Sequence, residues 1–506
     1  MFDKYQTIPD FLDEVFTRED EVKPEYKFVI DQFSQYSPAE LNKLYEKARQ
    51  SFNKQGITFN LPSDYDKTRE RIFPFDLLPR IISGKEWSTL EKGVIQRNLA
   101  INAFIEDVYN NRFIFKDKLI PLDLITGSVH YTKAMEGVKS AGGIYNHISG
   151  TDIVKHSDGE YYILEDNVRC PSGISYVLSN REAMKKTLFD LFGKYAIKPV
   201  KDYPDHLLNI LQSVTPAGVE KPRCAVITDG MQSAAYFEHA FLARSMGVTL
   251  VEGQDLYVQN DEVFMKTVAG SKRVDVLYKR VDDEFFDPLV FRADSVLGVP
   301  GIMKAYQKGN ISLVNAPGCG VADDKAVYHY VPAMIRYYLG EEPILNNVPT
   351  YLCSEEKDYN YVLENMEKLV IKPVDEYGGK GILIGSAATK SELNDYKQKI
   401  AQNRRKYVAQ PIMALSLHAT YIEGEKKFES RHVDLRTYTL IGKDIQYVLK
   451  GGLTRVALTK GNLIVNSSLG GGSKDTWVLD EEKIAPDLAQ HEAKKQPQEE
   501  LEMGSQ

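Results

Sequence analysis

A strand-type run that ends in three consecutive oxygen-bearing side chains places the strongest constraint on this sequence. Residues 161–164 are apolar or aromatic, and they are followed directly by Glu165, Asp166 and Asn167. Because side chains alternate between the faces of a strand, Glu165 and Asn167 are predicted to point to one side and Asp166 to the other. A carboxylate and an amide oxygen aimed at one point suit Mg²⁺. An ordinary strand that ends in a polar turn is the alternative interpretation.

The residues before this run predict its pairing partner. Residues 153–156 and 161–164 flank a Ser-Asp-Gly-Glu turn, which is a pattern typical of a β-hairpin. Antiparallel pairing of the two strands would bring Asp152 close to Glu165. A third oxygen ligand is therefore predicted at the same point.

Two turns are candidates for anion binding. Arg169 and the Pro-Ser-Gly turn at 171–173 follow the metal-type strand, and a rigid turn there would present backbone N–H groups and a guanidinium group. The Thr-Asp-Gly turn at 228–230 lies between a predicted strand and a predicted helix, where free N–H groups can also hold an anion. A purely structural turn is an equal alternative at 228–230.

Composition limits the class of protein. A chain of 506 residues with 43% hydrophobic and 26% charged residues is expected to form three or four globular domains. A net charge of −8 argues against a nucleic-acid-binding face. The sequence shows neither an apolar stretch of membrane-spanning length nor an apolar N-terminal signal, so no membrane association and a cytoplasmic location are expected. The scattered cysteines predict neither disulfides nor zinc, and Cys170 is expected to be a small buried residue.

The remaining pattern is a mixture of helices and strands. We expect a helical N-terminal region, an extended apolar connector at 73–79, an amphipathic helix at 86–109 and a helix at 325–339 kinked at Pro332. Four short strands that alternate with helices between residues 222 and 317 predict an α/β unit. Residues from about 481 are polar and are expected to form a helical or disordered tail.

A second informative stretch is LVIKPVDEYGGKGILIG at 369–385. A strand that ends at Lys372 leads into glycines and a second apolar strand, which predicts a hairpin with a small tip. Glycines allow backbone N–H groups to approach phosphate oxygens, and Lys372 and Lys380 could neutralise a triphosphate. The spacing is not that of a Walker loop, and a plain hairpin turn is an alternative of equal weight.

The two stretches lie 205 positions apart (372 − 167), and their order is informative. The segment from Lys372 through a strand with Asp434 and Arg436 to residues 466–471 resembles the front half of an ATP-grasp nucleotide domain. The other half, with Asp152 and the E-x-N strand, lies toward the N-terminus instead of following it. Most of residues 70–480 therefore resembles a circularly permuted ATP-grasp protein (type 2), similar to glutathionylspermidine synthase-like ligases.

The resemblance implies roles for individual residues. Mg²⁺ would be bound by Asp152, Glu165 and Asn167. The triphosphate and adenine of ATP would be bound by Lys372, Gly378, Gly379, Lys380, Gly381 and Gln410. The transferring phosphate would be contacted by Arg436 and Arg455, and Arg169 would clamp an acyl phosphate, because no arginine adjoins Asp152 in the sequence.

The resemblance also implies a fold and an activity. The expected fold class is α/β (α+β), with five regions: helical 1–84, a metal-binding ATP-grasp half at 85–200, a Rossmann-like pre-ATP-grasp domain at 201–345, a nucleotide-binding half at 346–480, and a tail at 481–506. The implied activity is ATP-dependent ligation of a small-molecule or peptide carboxylate to an amine through an acyl phosphate. A nucleotide-binding scaffold without ligase activity and a phosphotransferase are the alternatives, and the sequence leaves a homo-oligomer open.

Overall fold

The computed structural model describes residues 2, 5–17, 21–59, 71–72, 74–376, 379–459, 461, 465 and 471–481. Gly378, residues 466–470 and the predicted tail beyond residue 481 lie outside the described residues. Within the described residues, no helix combines the length and apolar character needed to cross a membrane.

The helices account for much of the chain between the strands. The α-helices are α1 (Lys27–Gln35), α2 (Pro38–Gln55), α3 (Gly84–Tyr109), α4 (Phe113–Lys116), α5 (Leu122–Thr126), α6 (Ile174–Thr187), α7 (Phe189–Phe192), α8 (Tyr203–Ser213), α9 (Tyr236–Met246), α10 (Asp283–Phe286), α11 (Ile302–Gln307), α12 (Lys325–Tyr328), α13 (Val331–Met334), α14 (Glu356–Asn365) and α15 (Lys390–Gln402).

Local sequence explains where several helices begin. Ser37 and Glu40 form a capping box at the start of α2, and Ser83 and Glu86 form one at the start of α3, so unpaired N–H groups of each first turn are bonded. The predicted helix at 86–109 is confirmed as α3. The predicted kink at Pro332 is wrong in its position, since α12 already ends at Tyr328 and the proline lies in the first turn of α13, where its missing N–H costs nothing.

The strands form several sheets. The strands are β1 (Thr58–Phe59), β2 (Arg71–Ile72), β3 (Phe75–Ile82), β4 (Ile148–Lys155), β5 (Tyr161–Asn167), β6 (Cys224–Ile227), β7 (Thr249–Val251), β8 (Leu256–Gln259), β9 (Glu262–Thr267), β10 (Gly270–Arg273), β11 (Val276–Lys279), β12 (Ser312–Val314), β13 (Asn346–Asn347), β14 (Tyr351–Leu352), β15 (Leu369–Pro373), β16 (Leu383–Ile384), β17 (Tyr407–Pro411), β18 (Leu417–Ile422), β19 (Lys427–Ile441), β20 (Gln446–Val448), β21 (Leu453–Val456) and β22 (Gly472–Val478).

The largest sheet joins distant parts of the chain. Its order is β13-β5-β4-β19-β21-β22-β3, and β18 and β20 also pair with β19. The hairpin of β4 and β5 therefore lies directly beside β19, although more than 250 residues separate them in the sequence. The two sequence halves, which occur in exchanged order along the chain, are therefore neighbours in one sheet.

The connector predicted at 73–79 is wrong. Residues 75–82 form β3, which pairs in parallel with β22 at the edge of the large sheet. Leu77 and Leu78 are fully buried, and the buried Arg80 donates to both carboxylate oxygens of Glu14. An apolar run next to prolines resembles a connector in the sequence. In the structure, both faces of this run are buried, as the exposures of Leu77 and Leu78 show, and it forms a strand.

Two smaller sheets complete the site-bearing part of the fold. A four-stranded parallel sheet has the order β12-β11-β6-β7, which confirms the four strands predicted between residues 222 and 317, and α8 and α9 pack on it through a shared apolar core. A second sheet has the order β14-β17-β15-β16 and shares its core with α14 and α15. The predicted hairpin around the glycines is confirmed by the antiparallel pairing of β15 and β16.

Candidate active site

The predicted hairpin whose second strand ends in Glu165, Asp166 and Asn167 is confirmed. β4 and β5 pair antiparallel, and Asp152 lies directly opposite Glu165. The register shifts between this pair and the next one, in which Ile153 lies opposite Ile163, so Leu164 is the extra residue of a β-bulge. Cross-strand partners lie about 5 Å apart, and this pairing places the carboxylates of Asp152 and Glu165 side by side.

The predicted alternation of the three residues at the end of β5 is also confirmed. Asp166 points to α3, where Arg97 donates to both of its oxygens at 2.7–2.9 Å. On the other side, the amide nitrogen of Asn167 is buried and has no hydrogen-bond partner. Within the described part of the chain, the one ion pair of the Glu165 carboxylate is with the Nζ of Lys325, at 3.8 Å.

Two arginines from the adjacent strands bind the Asp152 carboxylate. Arg436 donates through Nε to Oδ1 at 2.6 Å and through Nη2 to Oδ2 at 2.8 Å, and Arg455 donates through Nη2 to Oδ2 at 2.8 Å. Arg455 also pairs with Asp434, its partner across the sheet. Burial alone would raise the pKa of Asp152, but the two guanidinium groups outweigh it and hold that pKa well below its usual range.

Arg169 is expected from the sequence to clamp an acyl phosphate, because no arginine adjoins Asp152 there. In the structure, however, Arg436 and Arg455 both contact Asp152. Arg169 instead donates through Nε to Asp323 at 2.6 Å, and its Nη1 lies 3.7 Å from Asp282. These three residues line a polar cleft that Arg436 and Arg455 line as well. The role of Arg169 as an acyl-phosphate clamp stays a prediction.

The turn at 171–173 does not present the N–H of Gly173 to the cleft as expected. The Glu238 carboxylate accepts the N–H groups of Gly173 and Ser175, at 2.7 and 3.1 Å, at the start of α6. Glu238 also pairs with the buried Arg280, which donates to the carbonyl oxygen of Pro171. The Gly173 N–H of this turn is therefore occupied by a carboxylate of α9, and anion binding by the rest of the turn stays a prediction.

Lys372 is a buried lysine at the end of β15. Its Nζ donates to Oε1 of Gln410 on β17 at 2.6 Å, and the Gln410 amide in turn donates to Oγ1 of Thr350 at 3.0 Å. Burial lowers the pKa of Lys372 to about 8, although the nearby carboxylate of Glu165 acts in the opposite direction. The side chain is thus held in place beside the metal-type carboxylates.

The described part of the glycine hairpin borders the same space. Gly379 and Lys380 line a cavity with Lys372, while Gly381 has a positive φ of 66° at the end of the turn. The Lys380 side chain is 78% exposed, and its Nζ lies 3.6 Å from Glu376. It is therefore free to reorient toward an anion.

Two neighbouring cavities meet at these residues. The first has a volume of about 140 Å³ and an apolar wall suited to a flat ring, formed by Ile382, Ile384, Ile412, Met413, Leu415 and Val465. The second is a polar cleft of about 560 Å³ between the large sheet and the carboxyl ends of β6 and β11. Glu165, Lys325 and Arg455 line both cavities.

Two observations concern the expectations for the turn at 228–230 and for Cys170, which is half-buried and not fully buried as expected. The N–H of Gly230 donates to Oγ1 of Thr228 at 3.2 Å, so the turn at 228–230 uses this group internally. Cys170 lies on the cleft wall, and burial raises the pKa of its thiol. This agrees with the expectation that Cys170 is not an activated nucleophile.

Sequence reasoning missed Lys325. It is the first residue of α12, after the cap Asp324, and its Nζ donates to the carbonyl oxygen of Glu376 at 2.7 Å. A lysine in a first helical turn resembles a solvated surface residue in the sequence. Its position between Glu165 and the glycine hairpin depends on the packing of α12 against two sheets.

The donor set fits a hard cation that is also bound by phosphates. Among the described residues, no group of three or more His, Cys, Asp and Glu side chains forms a metal-type cluster. However, the carboxylate of Glu165, the side-chain amide oxygen of Asn167 and the remaining acceptor capacity of Asp152 Oδ1 belong to neighbouring positions of the β4–β5 hairpin. Such a partial set is typical of Mg²⁺ held together with substrate phosphates.

Comparisons with known proteins match most of the chain. The family described as circularly permuted ATP-grasp type 2 matches residues 79–457. An uncharacterized protein of Synechocystis sp. is 49% identical over 93% of this chain and 97% of its own length. A Frankia casuarinae protein named "Putative glutamate--cysteine ligase 2-2" is 38% identical over 94% of this chain, which spans only 54% of that protein.

A solved structure has the same fold. The structure of a glutathione synthetase-like effector of Globodera pallida, in the apo form, superposes with a TM-score of 0.59 at 11% identity. The alignment covers 88% of this chain and 98% of the effector chain. At this identity, the similarity concerns the fold alone.

Proposed function

The chain belongs to the circularly permuted ATP-grasp type 2 family, and from this premise we propose that it is an ATP-dependent ligase that joins a carboxylate to an amine. The observation that carries the proposal is the convergence of Asp152, Glu165 and Lys372 from two sequence halves at the junction of the two cavities. The apolar cavity would take the adenine ring, and the polar cleft has room for two small substrates.

Three residues are proposed to hold the nucleotide directly, and three more to hold its Mg²⁺. Lys372, already held by Gln410, would meet the triphosphate without a large loss of side-chain entropy. Lys380 and the N–H groups around Gly379 would close over it from the hairpin. Glu165, Asn167 and Asp152 would bind Mg²⁺, which neutralises charge that builds up on the phosphates.

The proposed reaction has two steps. First, a carboxylate oxygen of the acid substrate attacks the γ-phosphorus, the bond to the β-phosphate oxygen breaks, and ADP leaves. Second, the amine nitrogen attacks the acyl carbon, the carbon–oxygen bond to phosphate breaks with its electrons leaving on phosphate, and the nitrogen releases one proton. Arg436 and Arg455 would stabilise the negative charge of the transferring group, because both are fixed at the edge of the cleft by Asp152.

The alternatives predict different products. A nucleotide-binding scaffold would bind ATP without turnover, whereas a phosphotransferase would stop after the first step. The combination of Glu165, Asn167 and Lys372 in one place supports turnover, and the name of the Frankia relative supports the ligase class. The identities of the acid and the amine are outside this proposal.

The test is release of ADP and phosphate across a panel of carboxylates, in the presence of hydroxylamine or of a panel of amines. Hydroxylamine converts an acyl phosphate into a hydroxamate, so a ligase gives hydroxamate, ADP and phosphate in equal amounts. A melting scan with MgATP is the parallel binding test, with an expected stabilisation of about 2.7 kcal/mol at a hundredfold excess over Kd. No hydroxamate with any carboxylate, despite a melting shift, would favour the scaffold, whereas hydroxamate without amide formation from any amine would favour the phosphotransferase.

A further inference from the structure

Asp229 lies at the topological switch point of the parallel sheet. It follows the carboxyl end of β6, and the chain leaves β6 for β7 on one side before it returns to β11 on the other. In open parallel sheets, the crevice between such strands is where ligands bind. Here that crevice opens into the polar cleft, with Asp229 on one side and Asp282, beyond β11, on the other.

The carboxylate of Asp229 has an unsatisfied oxygen. Its Oδ1 is buried without a hydrogen-bond partner, while the side chain as a whole remains 33% exposed to the cleft. The nearest basic nitrogen recorded for it is Nδ1 of His239, at 3.8 Å. That nitrogen already pairs with Oγ1 of Thr228 at 2.8 Å.

His239 does not neutralise this carboxylate. Burial, together with the nearby positive charge of Arg280, lowers the pKa of His239 to about 2, so the ring is neutral at physiological pH. Arg280 itself is paired with Glu238. Asp229 is therefore a carboxylate on the cleft wall without a cationic partner among the described residues.

The other carboxylates of the cleft differ from Asp229 in this respect. Each has a lysine or arginine nitrogen at 3.9 Å or less: Glu165, Asp166, Asp282, Asp323, Asp375 and Glu376. The guanidinium groups of Arg436 and Arg455 lie at the opposite side, on the large sheet. The cleft is thus positively charged on the side where the phosphate would be transferred. Within the described residues, its one carboxylate without a cationic partner is that of Asp229, at the switch point.

We infer that Asp229 binds the ammonium group of the amine substrate. This inference rests on the proposed ligase function and adds the position of the second substrate. A buried oxygen without a donor is costly, and an ammonium group supplies both the missing hydrogen bond and the missing charge. The amine would then enter from the carboxyl ends of β6 and β11, across the cleft from Arg436. Its ammonium group would first pass one proton to the Asp229 carboxylate, which frees the lone pair, and the nitrogen would release a second proton to the departing phosphate when it attacks the acyl carbon.

The first experiment compares two nucleophiles in one enzyme. Hydroxylamine is small and largely neutral at pH 7.5, so it does not need a carboxylate partner, whereas the probes ethylamine, putrescine and glycinamide are cations. In Asp229→Asn we expect hydroxamate formation within about twofold of wild type. The KM for the accepted cationic amine should rise about tenfold to a hundredfold, the range for loss of one charged hydrogen bond.

Asp294→Asn is the matched control. It makes the same change of charge within residues 201–345, but Asp294 is an exposed residue paired with Arg292. It should leave both reactions unchanged. An unchanged amine KM in Asp229→Asn overturns the inference and leaves the ligase proposal intact, as does a wild-type enzyme that forms hydroxamate but uses none of the cationic amines.

A second measurement does not depend on turnover. Saturation-transfer NMR of ethylamine, putrescine and glycinamide with the full chain should show binding to wild type and to Asp294→Asn, and a weaker signal with Asp229→Asn. Equal signals in all three proteins overturn the inference. If no carboxylate gives a hydroxamate, the ligase proposal fails, and these signals still decide whether Asp229 binds ammonium.

Discussion

Arg436 and Asp152 are partners across two adjacent strands, and the arginine binds both oxygens of the carboxylate although 284 positions separate the two residues. The pair joins the half of the fold that carries the metal-type oxygens to the half that carries Lys372. Because Arg455 also contacts Asp152, the three side chains form a fixed charged group at the edge of the cleft.

Glu165→Gln should lower the rate of ADP production by on the order of a hundredfold, or about 3 kcal/mol, by the removal of one electrostatic stabiliser. The substitution keeps the volume but removes the charge that would offset Mg²⁺, so the Mg²⁺ concentration for half-maximal rate should also rise. The fold should be retained, because the one ion pair of Glu165 among the described residues is that with Lys325, at 3.8 Å. Glu160→Gln, on the exposed turn of the same hairpin, is the control, and full activity of Glu165→Gln would contradict the metal assignment.

Lys372→Met should lower the rate of ADP production by a similar factor. When it is combined with Glu165→Gln, the total loss of transition-state free energy should be much smaller than the sum of the two single losses. The reason is that both side chains would act on one γ-phosphate, and residues that act as a unit are not additive. ADP production by wild type, the two single variants and the double variant gives the coupling. Strict additivity would show that the two stretches do not share a site.

ATP affinity should fall as the pH rises above about 8. The free protein has a pKa of about 8 for Lys372 because the side chain is buried, and a bound triphosphate would raise that pKa by its negative charge. Affinity is therefore fully present below pH 8 and is lost by up to tenfold per pH unit above it. Calorimetry at pH 8.5 in two buffers of different ionisation enthalpy should detect proton uptake, and Lys372→Met should abolish it.

Glu238→Gln should destabilise the protein by about 3–5 kcal/mol, the cost of leaving a buried charge without its partner. Glu238 is 2% exposed, and its loss would leave Arg280 uncompensated and weaken the cap of α6. Urea unfolding is the measurement, with Glu220→Gln at an exposed position as the control. A loss below about 1 kcal/mol would mean that other groups hold the turn at 171–173.

The sequence alone determined the local features of this protein. The alternation of Glu165, Asp166 and Asn167 follows from the two-residue period of a strand, and the hairpin that pairs Asp152 with Glu165 follows from its turn. The order of the two halves was also readable, because strand ends and glycines carry their signals within a few residues. These features depend on short-range geometry, which the sequence states directly.

Only the tertiary structure decided which groups are free and which are occupied. The Gly173 N–H of the 171–173 turn is taken by Glu238, Asp152 is paired with Arg436 and Arg455, and Asp229 has no cationic partner among the described residues. Each outcome depends on contacts between residues from 65 to more than 300 positions apart, except that of Asp229, whose neighbour His239 is made neutral by burial. Burial and long-range charge pairing arise from the packing of the whole chain, and no local pattern in the sequence records them.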